Sequence, residues 1–86
     1  MRADRFYVGF GKLVRKRRQA MLMTQAQLAK RLVMSRTSIT NIERGRQRIN
    51  LHQLLQIAAV LRVSHECLLP ALPHDFWRSG RWARAR

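Results

Sequence analysis

The stretch Thr24–Arg46, TQAQLAKRLVMSRTSITNIERGR, decides the fold. Thr24 followed three residues on by Gln27 is a capping box, in which side chain and backbone satisfy each other's first-turn donors, so a helix opens there and buries Leu28, Ala29 and Leu32. Ser35 is suited to cap the next helix, which runs through Ile39 and Ile42 to Gly45, a residue fitted to the left-handed position that ends a helix. After Met34 the apolar positions are Ile39 and Ile42 alone. Ser-Arg-Thr-Ser, Thr-Asn and Arg cannot fill a core, so this second helix keeps one narrow apolar edge and offers the rest to something outside the fold.

The flanking sequence continues the helical reading. Phe10, Leu13, Val14 and Met21 fit a first helix over about residues 7–21, with Lys12, Arg15, Lys16 and Arg17 on its other faces. Asn50 and Gln53 form a second capping box, and Leu51, Leu54, Leu55, Ala58 and Leu61 give the helix that follows an apolar stripe. Ser64 caps a short fifth helix, HECLL, which Pro70 stops. The expectation is an all-α, compact five-helix domain over residues 1–69, followed by a basic, Trp-containing extension over residues 70–86.

Charge narrows the partners. The 86 residues hold 18 Lys and Arg against 4 Asp and Glu, a formal net charge of +14, which favours polyanions, nucleic acid before an anionic membrane. Residues 1–50 carry 13 basic and 2 acidic side chains, so the anion-facing surface belongs to the first half. Apolar runs such as IAAVL fall far short of the roughly 20 residues of a spanning helix, and the start of the chain does not read as a signal peptide. A cytoplasmic, nucleoid-associated protein without a membrane partner is expected, and the single Cys67 is compatible with a reducing compartment.

Counted from Gln25, apolar residues fall at Leu28, Leu32, Met34, Ile39 and Ile42, with the small Ala29 where two helix axes cross closely. This is the spacing of a helix-turn-helix unit. From about Phe10 to Leu69 the chain resembles the phage-repressor and Cro type (XRE-like) helix-turn-helix family, most clearly in TQAQLAKRL, SRTSITNIERG and LLQIAAVLRVS. That resemblance implies the lambda-repressor-like fold and a sequence-specific DNA-binding regulator, usually a homodimer on a near-palindromic operator. It also implies a phosphate contact at Gln25, base contacts at Arg36, Thr37, Thr40 and Asn41, a salt bridge between Arg18 and Glu43, and phosphate contacts at Arg46 and Arg48. Val33 and Arg62 stand where the family usually has Gly; a positive φ at either costs roughly 1 kcal/mol or more, and β-branched Val is the worse case.

Elementary chemistry leads to the same residues. Arg36, in the first turn of the recognition helix at 35–45, can pair with O6 and N7 of guanine, a contact worth about 1–3 kcal/mol of discrimination. Thr37 and Thr40 offer a hydroxyl and a methyl, and Asn41 has the amide geometry for adenine. Gln25 sits at a helix N-terminus that favours anions, Ser35 can share its hydroxyl between cap and phosphate, and Arg44, Arg46 and Arg48 follow at the helix end. Arg18 should be structural first and a phosphate contact second. Of the run KLVRKRR, one or two side chains should approach a DNA backbone. For each group the bland alternative is a solvated helix face or a solubilising charge run.

The extension places Trp77 and Trp82 among Arg78, Arg81, Arg84 and Arg86, and it reads either as an arm following DNA or as a segment packed on the domain or on a protein partner. Leu68, Leu69, Leu72 and Phe76 are candidates for a dimer contact. His52, His65, His74 and Cys67 lack the spacing of a zinc site, so no metal, cofactor or enzymatic activity is expected. A transcriptional repressor is the leading reading. The alternatives are the DNA-binding antitoxin of a toxin–antitoxin pair and a non-specific nucleic-acid-binding module, for which only Phe6 and Tyr7 could begin a stacking platform.

Overall fold

The structure, a computed structural model, describes residues 5–70. Its elements are α1 (Arg5–Ala20), α2 (Gln25–Leu32), α3 (Arg36–Glu43), α4 (Leu51–Val60) and a 3-10 turn (His65–Leu68). Among the described residues the all-α reading stands, with four α-helices and a 3-10 turn where the fifth helix is expected. HECLL forms only a 3-10 turn because Ser64 Oγ accepts from Glu66 N–H, the next bonds run from Cys67 to Ser64 and from Leu69 to Glu66, and Pro70 ends the segment before an α-helical bond pattern can develop. Of the expected extension, residues 71–86, with Leu72, Phe76, Trp77 and Trp82, lie outside the described residues.

The caps form as their chemistry dictates. Thr24 and Gln27 exchange hydrogen bonds of 2.8 and 3.0 Å, and Asn50 and Gln53 exchange bonds of 3.0 and 2.7 Å. Ser35 Oγ accepts from Ser38 N–H at 3.0 Å and so opens α3. At the other ends, α1, α2, α3 and the segment after α4 close with the same double bond of the Schellman type, for example Val33 N–H to Lys30 and Met34 N–H to Ala29. The left-handed residue is Gly45 (φ 74°) in one turn but Leu22 (φ 56°), Val33 (φ 54°) and Arg62 (φ 56°) in the other three. Each of these three is followed by an apolar residue that turns back to the core, Met23, Met34 or Val63, and then by a Ser or Thr cap.

The core gathers Phe10 and Val14 of α1, Leu28, Ala29 and Leu32 of α2, Ile39 and Ile42 of α3, and Ile57, Ala58 and Leu61 from α4 and its end, closed by Leu68. Fully burying side chains of this size contributes about 1.5–3 kcal/mol each. α3 packs as extensively on α1 as on α2, so the helix-turn-helix pair is not the one dominant contact. Gly11 permits this: a Cβ there would collide with the carbonyl oxygens of Ile42 and Glu43. Two leucines of the expected α4 stripe do not join the core. Leu51 is 72% exposed and Leu55 47%, because the buried face of α4 runs through Ile57 and Ala58, with Leu54 half-buried beside it. Leu68 is fully buried and therefore cannot contribute to a dimer contact.

Candidate nucleic-acid interface

The inner edge of α3 is fixed by a buried polar network. Arg18 Nε and Nη2 donate to Glu43 Oε2 and Oε1 at 2.6 and 3.0 Å, and Nη1 donates to the carbonyl of Met23 at 2.8 Å. Every donor group of the guanidinium thus has a partner, and among the described residues no buried side-chain polar atom lacks one. A bidentate arginine–carboxylate pair is both strong and directional. Its effect is to clamp the end of α3 to α1 and to the α1–α2 turn. Arg18 and Glu43 are thus joined in one ion pair.

Gln25 extends the network to α2. Its Nε2 donates to Glu43 Oε1 at 3.1 Å, and its Oε1 accepts from Thr40 Oγ1 at 3.2 Å. The Thr40 hydroxyl also lies 3.1 Å from the Arg36 carbonyl oxygen, so its single proton is held inside the protein and the methyl group is what remains to offer outward. One N–H of the Gln25 amide is left over. Ser35 is similarly occupied, since its hydroxyl accepts from Ser38 N–H and donates to Ser38 Oγ at 3.1 Å.

Around this network opens a cleft of about 740 Å³, lined by Arg15 and Arg18 of α1, Thr24, Gln25 and Ala26 at the start of α2, and Arg36, Thr40, Glu43 and Arg44 along α3. Arg36, Thr40 and Arg44 follow each other at helical spacing, one turn apart, and form one stripe. Thr37, exposed, and Asn41, half-buried, form the adjacent stripe outside the cleft. The cleft wall opposite α3 is the N-terminus of α2, whose first N–H groups have no partner within the helix and favour an anion. Arg46 and Arg48 are exposed in the seven-residue connection after α3 and are not among the residues that line the cleft.

Thus Gln25, Arg36, Thr40, Arg44 and Arg18 come together, while Ser35, Thr37, Asn41, Arg46 and Arg48 do not line the cleft. Arg15 is the addition. Within KLVRKRR its neighbours have other fates: Arg17 Nε donates to the Leu61 carbonyl at 2.9 Å, closing the end of α4, and Lys12 and Lys16 are exposed away from the cleft lining. Only the packing of α1 on α3 separates Arg15 from the others; the three-residue offset from Arg18, one turn along α1, was the clue available. Among the described residues no group of three His, Cys, Asp or Glu side chains could hold a metal, and no helix is long and apolar enough to cross a membrane.

Comparison with known proteins agrees with this geometry. A helix-turn-helix family model matches residues 14–66. The chain is 37% identical over 75 residues to a transcriptional regulator in the ATPase CF(0) region of Rhodospirillum rubrum, an alignment covering 86% of this chain and 69% of that one. Among solved structures it resembles the restriction-modification controller protein C.AhdI from Aeromonas hydrophila, with a TM-score of 0.70 and 28% identity over 73% of this chain and 96% of that one. It also resembles the hydroxypropylphosphonic acid epoxidase of S. wedmorenis, with a TM-score of 0.73 and 33% identity over 76% of this chain. That match takes in just 35% of the epoxidase chain, so the likeness is to a part of that enzyme. With its capped α2–α3 pair, its left-handed turn at Val33 and the family model spanning most of its length, this chain belongs to the helix-turn-helix family.

Proposed function

We propose that the chain is a sequence-specific double-stranded-DNA-binding regulator that lays α3 in the major groove and acts as a small repressor by occupying its operator. The observation that carries this reading is the outer side of α3: Arg36, Thr40 and Arg44 line one cleft with Arg15 and the N-terminus of α2, while Thr37 and Asn41 stand beside it. A major groove admits one helix, and the flanking cations and N–H groups then meet the phosphates on either side. Arg36 reads guanine, Asn41 reads adenine, and Thr37 contributes hydroxyl or methyl. Thr40, its proton held by Gln25 or Arg36, acts through its methyl against thymine. Gln25, Arg15, Arg44, Arg46 and Arg48 hold phosphates, with Ser35 and Arg18 in secondary roles.

The regulator reading extends to a homodimer on a near-palindromic operator, working in the cytoplasm on the nucleoid. Support comes from the family to which the chain belongs and from the relative described as a transcriptional regulator. Selection of bound duplexes from a random pool at about 0.15 M salt tests it. A near-palindrome with half-site centres about one helical turn apart is the expected outcome. Absence of any enriched sequence, with binding that vanishes steeply as salt rises, would mean that charge alone carries the affinity.

A further inference from the structure

α4 presents a face of opposite character to the cleft. The helix Leu51–Val60 has no charged residue, and the two leucines that miss the core, Leu51 (72% exposed) and Leu55 (47%), are followed four residues on by the exposed Ala59. Spaced at i, i+4 and i+8, the three form one ridge, the kind of row by which one helix packs on another. Leu69, also exposed, lines a recess together with Leu51 and extends the apolar surface at that end. α4 packs on α2 and the 3-10 turn through its other side, where Ile57 and Ala58 are buried.

We propose that this ridge docks a second copy of the chain, the two α4 helices packing antiparallel about a two-fold axis at Leu55. The proposal rests on the homodimer reading above and gives it an interface. Charge argues for that occupant. Of the 13 Lys and Arg in residues 5–70, 12 precede residue 49, whereas residues 49–70 hold one arginine, Arg62, and one glutamate, Glu66. Two copies repel through the first part and can approach closely only through the second. A partner of opposite sign would instead be drawn to the basic part and would gain nothing from a helix without charge. Side-chain size points the same way, because a two-fold contact must be complementary to itself. In the antiparallel pair the Leu55 side chains of the two copies meet, and Leu51 of each faces Ala59 of the other, large against small. Leu22, exposed outside this region, is by contrast a single turn residue beside Lys30 and Arg31, where a second copy would bring like charges together. No residue of the ridge lines the cleft, so the pairing does not occupy the surface assigned to DNA.

Sedimentation equilibrium of the full chain without DNA, up to about 0.3 mM, tests this over a range suited to an interface at the small end of the specific class. The chain should pass from monomer to dimer, and the association should strengthen as salt screens the repulsion between the two copies. Leu55→Glu sets two carboxylates against each other at the axis, and Ala59→Glu puts a good helix former at an exposed position of α4. Each should raise the dissociation constant by about tenfold or more, with the far-UV circular dichroism unchanged. Ala59→Glu keeps the test decisive if Leu55→Glu disturbs α4. Leu22→Glu, an equally exposed leucine outside the ridge, should leave the association as it is. A chain that stays monomeric throughout overturns the proposal, and so does a dimer that the two ridge variants fail to weaken. Equal loss in Leu22→Glu would mark non-specific association, and loss in Leu55→Glu without loss in Ala59→Glu would contradict the antiparallel register. A dimer that persists in both ridge variants sinks this interface and leaves the regulator reading intact. Failure to enrich any duplex in the selection sinks the regulator reading and leaves the free dimer intact.

Discussion

The two sides of α3 are built on opposite terms. Its inner side is Ile39 and Ile42 in the core and Glu43 in a bidentate clasp with Arg18, with Gly11 letting the backbone of α1 approach the Ile42 and Glu43 carbonyls. Every position there is committed to a partner. Its outer side is Arg36, Thr37, Asn41 and Arg44, side chains whose distal groups have no hydrogen-bond partner that the fold supplies among the described residues. A helix of eight residues is marginal by itself, so the inner contacts set its position and the outer groups inherit that position for contact with a partner. Reading a groove edge requires a rigid presenter, and here the rigidity comes from the inner side.

That contrast can be broken from the inner side. Glu43→Ala leaves the Arg18 guanidinium buried without its carboxylate and should lower stability by about 3–5 kcal/mol, measured by urea unfolding. An unchanged midpoint would show that the clasp contributes nothing. Gly11→Ala forces a methyl group against the α3 carbonyls; about 3 kcal/mol of destabilisation is expected, near the upper end for overpacking. Retention of the native melting temperature would mean that α1 and α3 can separate at little cost. The contrast can also be sharpened. Val33 turns the chain into α3 with a left-handed backbone and a side chain 92% exposed, so glycine there relieves strain without removing a core contact. Val33→Gly should stabilise the fold by about 1 kcal/mol and raise the melting temperature by about 4–8 °C, with no gain if the turn is relaxed.

Much of the frame was legible because capping chemistry is local. Thr24 with Gln27, Ser35, and Asn50 with Gln53 identify three helix starts from residues within three positions of each other, and all three form. The Arg18–Glu43 pair came from family resemblance, since nothing local links residues 25 positions apart. What periodicity could not supply is the absolute rotation of a helix: Leu51 and Leu55 share the stripe's spacing yet face away from the core. The expected fifth helix forms as a 3-10 turn because Ser64 and Pro70 frame too few residues for an α-helical turn to propagate. Leu22 is a third left-handed residue, in the same αL–apolar–Ser/Thr pattern that recurs at Val33 and Arg62. At the interface, Arg15 could not be told from Lys12, Lys16 or Arg17 before the packing of α1 on α3 was known. The bond from the Thr40 hydroxyl to Gln25 was invisible for a similar reason, because it is set by the packing of α3 on α2.

The central claim, that the outer side of α3 reads sequence while the cations around it supply affinity, is tested most directly by comparing Arg36→Ala with Arg46→Ala. Affinity for the selected duplex and for a scrambled one is measured across a salt series. Arg36→Ala should lose about 1–3 kcal/mol of preference at one operator position per half-site. Arg46→Ala should weaken both duplexes alike and lower the salt slope by about 0.9 for each phosphate contact removed. Indistinguishable behaviour of the two variants would contradict the division of labour and with it the role assigned to α3.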